Sequence, residues 1–337
     1  EDSAALSTYA FDDNGNRLSL TTPGGTTSGT YDAQDRQLSY GDYTYTYTNH
    51  GELATKTHTP SGDVTSYSYD VYGNTTSVTL PSGDVIAYIV DGHDRRVVRK
   101  VNGVVERQWL YRSQLQIVAE LDAMGNVVSR FVYAHGRNVP DYMVKPSGPD
   151  AGTYRLIQDH LGSVRLVVDA SDGTIKQRID YDEFGNASLV TGSWGFQPFG
   201  FAGGLYDPDT GLVRFGRRDY DAFTGRWTAK DPIDFAGGQA NIYVYVDNDS
   251  LNATDPLGLG VGDFLDCITS PHTSLEECLK EPIGPCTDPG DECRENCDWA
   301  WGLCTQACNK LPKGKHKVLC KIGCAIAWAG CNANCPP

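Results

Sequence analysis

The first hundred residues repeat one unit. Its copies are Phe11-Asp12-Asp13-Asn14-Gly15-Asn16-Arg17, Tyr31-Asp32-Ala33-Gln34-Asp35-Arg36, Tyr47-Thr48-Asn49-His50-Gly51, Tyr69-Asp70-Val71-Tyr72-Gly73-Asn74 and Val90-Asp91-Gly92-His93-Asp94-Arg95, with starts 20, 16, 22 and 21 residues apart. That spacing is the period of a supersecondary unit repeated along a chain. Each copy joins alternating strand formers, such as Tyr43-Thr44-Tyr45-Thr46-Tyr47 or Thr65-Ser66-Tyr67-Ser68-Tyr69, to a turn rich in Asp, Asn and Gly. This is the composition of a β-hairpin. A lone hairpin cannot bury its own face, so the copies must stack or wind into one continuous sheet. Tyr and Thr occupy both faces of these strands, so the sheet is expected to be moderately polar and wetted on at least one side.

Helical periodicity is confined to the end of the chain, where the last 71 residues hold all eleven cysteines. Eight form two copies of one spacing: Cys293, Cys297, Cys304, Cys308 and Cys320, Cys324, Cys331, Cys335. At about 100° per residue each quartet lies within about 60° of arc on one helix face. Pairing first with last, Cys293 with Cys335, Cys297 with Cys331, Cys304 with Cys324 and Cys308 with Cys320, gives an antiparallel helical hairpin stapled by disulfides. Small residues (Ala300, Gly302, Ala307, Gly323, Ala325, Ala327, Ala329) permit the close approach disulfides need. The turn Lys310-Leu311-Pro312-Lys313-Gly314-Lys315 separates the helices. Zinc ligation by Cys at i and i+4 is the competing reading, but no His lies within either quartet. Disulfides imply an oxidising compartment, hence a secreted or cell-surface protein. Cys267, Cys278 and Cys286 are left over; one of the eleven must be free or bonded to another chain.

The formal net charge of −15 argues against nucleic-acid binding, which needs clustered Lys and Arg. No run of about 18 apolar residues exists, so no membrane span is expected. The first residues, Glu1-Asp2-Ser3-Ala4-Ala5-Leu6, lack the pattern of a signal peptide. Because the chain begins inside a repeat, it is expected to start partway through a larger protein.

The repeats resemble the tyrosine-aspartate (YD) repeats of the rearrangement hotspot (RHS) family. The likeness sharpens at Asp159-His160-Leu161-Gly162-Ser163-Val164-Arg165, Tyr181-Asp182-Glu183-Phe184-Gly185-Asn186, and from Gly204-Leu205-Tyr206-Asp207 to Arg214-Phe215-Gly216-Arg217-Arg218-Asp219-Tyr220-Asp221. It closes with Gly225-Arg226-Trp227, Asp231-Pro232-Ile233-Asp234, Asn241-Ile242-Tyr243 and Asp255-Pro256-Leu257-Gly258-Leu259. The resemblance implies a mainly β fold in three regions: a YD-repeat sheet over residues 1–150, a core domain over 151–259 that plugs one end of a hollow shell, and the cysteine-rich α-helical tail, 260–337. Family shells use far more repeat than the 150 residues here, so this chain is expected to form only part of one. In that family the variable tail is often a toxin.

Relatives with paired Asp-Pro motifs cut themselves after the final Leu. The resemblance then implies Asp231 and Asp255 as the two carboxylates of an aspartic-type self-cleavage, with Leu259-Gly260 as the scissile bond. Such chemistry needs two acids near enough to share a proton. Asp234 stands where the family has Gly, which should remove a permissive turn position and add repulsion. Asp-Pro also opens ordinary turns, as at Asp207-Pro208.

Other constellations are weaker. The seven His residues are scattered without ligand spacing, and no metal or cofactor is expected. His160 is read as a structural hydrogen-bonding residue. His272 beside a tail cysteine is read as structural too. Asn74, Asn186, Asn248 and Asn252 begin glycan-acceptor triplets, a pattern common by chance. The 78-residue tail offers no convergent acid, base and nucleophile, which favours contact or assembly with other proteins or neighbouring copies, whereas family habit favours a toxin. Trp299, Trp301 and Trp328 would pack its thin core or anchor a partner.

Overall fold

The structure, a computed structural model, describes residues 7–134 and 138–260. The chain divides into two units, residues 1–266 and 267–337, and every described residue belongs to the first. The expected helical hairpin, its cysteine pairs and Cys267, Cys278 and Cys286 lie outside the described residues.

Eighteen strands, from β1 (Thr8–Phe11) to β18 (Ala187–Thr191), form one sheet. Each pairs antiparallel with the next along the chain, so the sheet is a continuous meander that runs on through residue 150. It curls as it goes. The Tyr9 ring of β1 stands 5.0 Å from Phe184 in the hairpin that leads into β18, and the Arg17 guanidinium lies 3.7 Å over that same Phe184 ring. The expected winding antiparallel sheet is therefore what the described residues form.

The repeat has a physical cause at each position. Its Tyr sends a hydroxyl back to the preceding hairpin: Tyr31 to the Arg17 carbonyl (2.9 Å), Tyr111 to Arg96 (2.9 Å), Tyr133 to Ile117 (2.8 Å) and Tyr181 to Val164 (3.2 Å). Its Asp closes the turn, because one carboxylate oxygen accepts two backbone N–H groups that would otherwise be orphaned. Asp70 takes those of Tyr72 and Asn74, and Asp182 those of Phe184 and Asn186. The position three residues after the Asp has positive φ, filled by Gly15, Gly73 and Gly185 or by Asp35 (59°) and Asp94 (62°), since Asp tolerates the left-handed region better than most residues. Alternate residues point inward, and a column of buried aromatics, Tyr45, Tyr67, Tyr88, Trp109, Phe131 and Tyr154, lines the concave side. The outer face keeps half-exposed apolar residues such as Leu110 and Ile157.

Residues 194–260 fill the concavity. A four-stranded meander, β19 (Leu205–Asp207), β20 (Leu212–Phe215), β21 (Arg218–Asp221) and β22 (Arg226–Trp227), packs around Tyr220, Tyr245, Phe215 and Trp227, with Tyr220 and Tyr245 ring centres 4.5 Å apart. The plug meets the sheet through polar groups as much as apolar ones. Arg96 pairs with Asp219 (3.0 Å), Arg99 and the Tyr88 hydroxyl with Asp207 (2.7 and 2.6 Å), and Arg226 with Asn16 (2.9 Å), all buried. Buried ion pairs add little net stability when intact but cost several kcal/mol when one partner is removed. They therefore fix which plug position faces which hairpin.

Candidate active site

Two turns of the plug bring the two Asp-Pro motifs to one guanidinium. The second motif lies along the β20–β21 turn, where backbone approaches backbone: a Cβ on Gly216 would stand 2.3 Å from the Leu257 carbonyl oxygen, and one on Gly258 (φ +65°) 2.6 Å from that of Phe215. Only glycine fits either place. Arg217 N–H donates to the Leu257 carbonyl across this contact (3.0 Å). The first motif is held by the Asp231 N–H, which donates to Ile242 (3.1 Å), and by the Ile233 N–H, which donates to the Asp231 carboxylate (2.9 Å).

Arg218 ties the motifs together. One of its terminal nitrogens lies 2.7 Å from Asp231 Oδ2 and 3.1 Å from Asp255 Oδ2, and its Nε donates to the Gly258 carbonyl (2.7 Å). All three side chains are at most 3 % exposed. The Asp255 carboxylate also accepts the N–H groups on either side of the Leu259 carbonyl, from Leu259 (3.0 Å) and from Gly260 (2.8 Å). On the carbonyl side the wall is Gly237: the point where its Cβ would stand is 2.9 Å from Asp231 Oδ2 and 3.0 Å from the Leu259 carbonyl oxygen. Asp255 thus sits on the nitrogen of the Leu259-Gly260 bond, while Asp231 Oδ2 and the oxygen of that bond both border the same space beside Gly237.

Two carboxylates share one cation in this buried place, so the second carboxylate is where a proton is cheapest to keep. Burial raises the Asp231 carboxyl to about 6, with Arg218 opposing and Asp255 and Asp234 adding to the rise. Burial raises Asp255 as well, against Arg218 and the amides of Gly260 and Leu259. This is the arrangement in which two acids titrate as a unit.

Asp234 adds repulsion at Asp231 as expected, and the turn forms without Gly. Its φ is +51°, so the turn keeps the left-handed residue that Gly258 supplies in the sister motif, and Asp accepts that geometry at modest cost. Its carboxylate is exposed, and repulsion survives only as the smallest contributor to the Asp231 shift. Arg218 was missed by sequence reasoning, as was Gly237. His160 is structural: its Nε2 donates to the Leu251 carbonyl at 2.6 Å. Asn74 is buried and donates to Asp70 and Asp94, which closes it to a glycan.

A model of the teneurin YD-shell family matches residues 1–249. Teneurin-4 of Mus musculus is 31% identical over 228 residues, 66% of this chain and 8% of that protein. The tRNA nuclease WapA of Bacillus subtilis is 25% identical over 261 residues, 74% of this chain and 11% of that protein. The chain thus spans about a tenth of the length of these curated relatives. Among solved structures, the crystal structure of TcdB2-TccC3-TEV superposes with a TM-score of 0.48 at 19% identity, covering 75% of this chain and 13% of that one.

Proposed function

Because the chain belongs to the teneurin YD-shell family of tyrosine-aspartate repeat proteins, we propose that its plug cuts its own backbone between Leu259 and Gly260 and frees the cysteine-rich tail from the sheet. The observation that supports this reading is the gathering of both acids at one bond: Asp255 accepts from the Gly260 N–H, and Asp231 Oδ2 borders the space beside Gly237 that the Leu259 carbonyl oxygen also borders. Protonated Asp231 gives its proton to that oxygen as water adds to the carbonyl carbon, while ionised Asp255 takes the water's proton. When the tetrahedral intermediate collapses, Asp255 passes its proton to the Gly260 nitrogen, the C–N bond breaks and Asp231 regains a proton. The products are a Leu259 carboxylic acid and a Gly260 amine. Arg218 keeps one of the two carboxylates ionised and holds the Gly258 carbonyl, which sets the position of the bond.

On this reading the scaffold works outside the reducing cytosol, in contact with other proteins or copies of itself. It presents the tail until release. A relative named as a tRNA nuclease supports a toxic payload over a purely adhesive one.

The test is the intact mass of the full chain after purification and incubation at mildly acidic pH. Fragments ending at Leu259 and beginning at Gly260 are expected, and Asp231→Asn or Asp255→Asn should leave the chain whole. A wild-type chain that stays intact refutes the reading. Peptide mapping without reduction should recover the Cys293–Cys335, Cys297–Cys331, Cys304–Cys324 and Cys308–Cys320 links; free thiols or bound zinc would remove the case for an oxidising compartment.

A further inference from the structure

A second buried charge cluster lies between the sheet and the plug, and in it two guanidinium groups share one carboxylate. Arg96 and Arg214, with side chains 2% and 3% exposed, both turn to the single carboxylate of Asp219, at 3.0 and 3.2 Å. Arg95, their neighbour, is already matched by Asp91 at 2.6 Å. All three arginines line one cavity of about 40 Å³, and among the described residues no carboxylate lines it. The Nε–H groups of Arg96 and Arg214 are buried without a hydrogen-bond partner among the described residues. A guanidinium does not lose its proton in a protein, and an uncompensated buried charge is costly. Part of the Arg96 charge rests on the Tyr88 ring, 3.5 Å away. Burial pulls Arg214 below its ordinary value, Asp219 opposes this, and the charge of Arg96 lowers it further.

We propose that this cavity is a binding site for a small inorganic anion of halide size, held by Arg96 and Arg214. The volume supports the assignment, because it has room for about three water-sized particles. An anion there accepts from donors that the protein leaves unmet and meets positive charge on both guanidinium groups. Two walls of the cavity, Gly216 and Pro256, belong to the segments that position Arg218 and Asp255, so its occupant also braces the turn beneath the candidate active site. The proposal is independent of self-cleavage.

Thermal unfolding of the full chain in sodium chloride or bromide, against sodium gluconate at the same ionic strength, tests it. A saturable rise of about 5 °C with halide alone is expected. The rise should vanish in Leu115→Phe, which fills the cavity and touches neither arginine's charge. Arg96→Gln should lose it too if that variant folds. Crystals grown in bromide should show an anomalous peak between the two guanidinium groups. Equal midpoints in halide and gluconate, or a cavity that holds water alone in bromide, overturn the proposal.

Discussion

Replacing Gly237 by Ala should slow chain cleavage at Leu259 and leave the fold intact. The backbone at Gly237 is not left-handed, so an L side chain brings no conformational strain, and losing a glycine from the unfolded ensemble is worth up to about 1 kcal/mol in favour of the fold. The added methyl would meet Asp231 Oδ2 at 2.9 Å and the Leu259 carbonyl oxygen at 3.0 Å, whereas ordinary contact begins at 3.4 Å. Acid and carbonyl must therefore each give way to the methyl by roughly half an ångström. Since a misplacement of about 1 Å costs on the order of a hundredfold in rate, a loss of about tenfold or more is expected. The neighbouring Gly238 is the control: its φ is +83° and nothing lies within 4 Å of its would-be Cβ. Gly238→Ala should cost about 1–2 kcal/mol of stability through backbone strain and leave the rate alone. The assay is a time course of intact mass for both variants, with urea unfolding alongside. If the two variants lose cleavage equally, or Gly237→Ala cuts at the wild-type rate, the assignment of Asp231 to the carbonyl is wrong.

Three further outcomes follow from the same geometry. With Asp231 at about 6 and required in its acid form, the cleavage rate should fall about tenfold per unit above that pH, and fall again at lower pH as Asp255, itself raised by burial, loses the ionised form the reaction needs; a rate that climbs through neutrality would contradict it. Arg218→Met strands two buried carboxylates and should cost about 3–5 kcal/mol at pH 7. A carboxyl whose folded-state value is raised binds its proton more tightly in the native state, so this cost should shrink as pH falls toward 4, measured by urea unfolding at both values. Tyr133→Phe removes the donor to the Ile117 carbonyl and should cost about 1 kcal/mol in the same assay, without touching cleavage.

The sheet was legible because its turn chemistry is local. An Asp whose carboxylate accepts N–H groups two and four residues ahead carries its whole explanation within five positions, so the spacing of Asp12, Asp32, Asp70 and Asp91 revealed the hairpins. Asp231 and Asp255 were legible only through the likeness of two motifs. Arg218 was not, since its partner Asp255 lies 37 residues away and an arginine in sequence reads as a surface charge. Arg96, Arg99, Arg214 and Arg226 were hidden for the same reason: their burial depends on the sheet and the plug meeting across more than a hundred residues of chain. The departure at Asp234 was legible in the sequence, and its φ of 51° shows why the sister motif uses Gly there.

Besides its buried side-chain pairs, the plug grips the hairpins by their main chain. Asn248 donates to the carbonyl of Gly15, Tyr243 to that of Gly51, Arg214 to that of Asp94, Tyr220 to that of Phe184 and Ser250 to that of Glu183. A lock that reads peptide carbonyls is blind to side-chain identity. Turn residues that touch the plug only through a carbonyl can therefore change, while those that pair with it by side chain, or lie as close as Gly51 and Gly185, cannot.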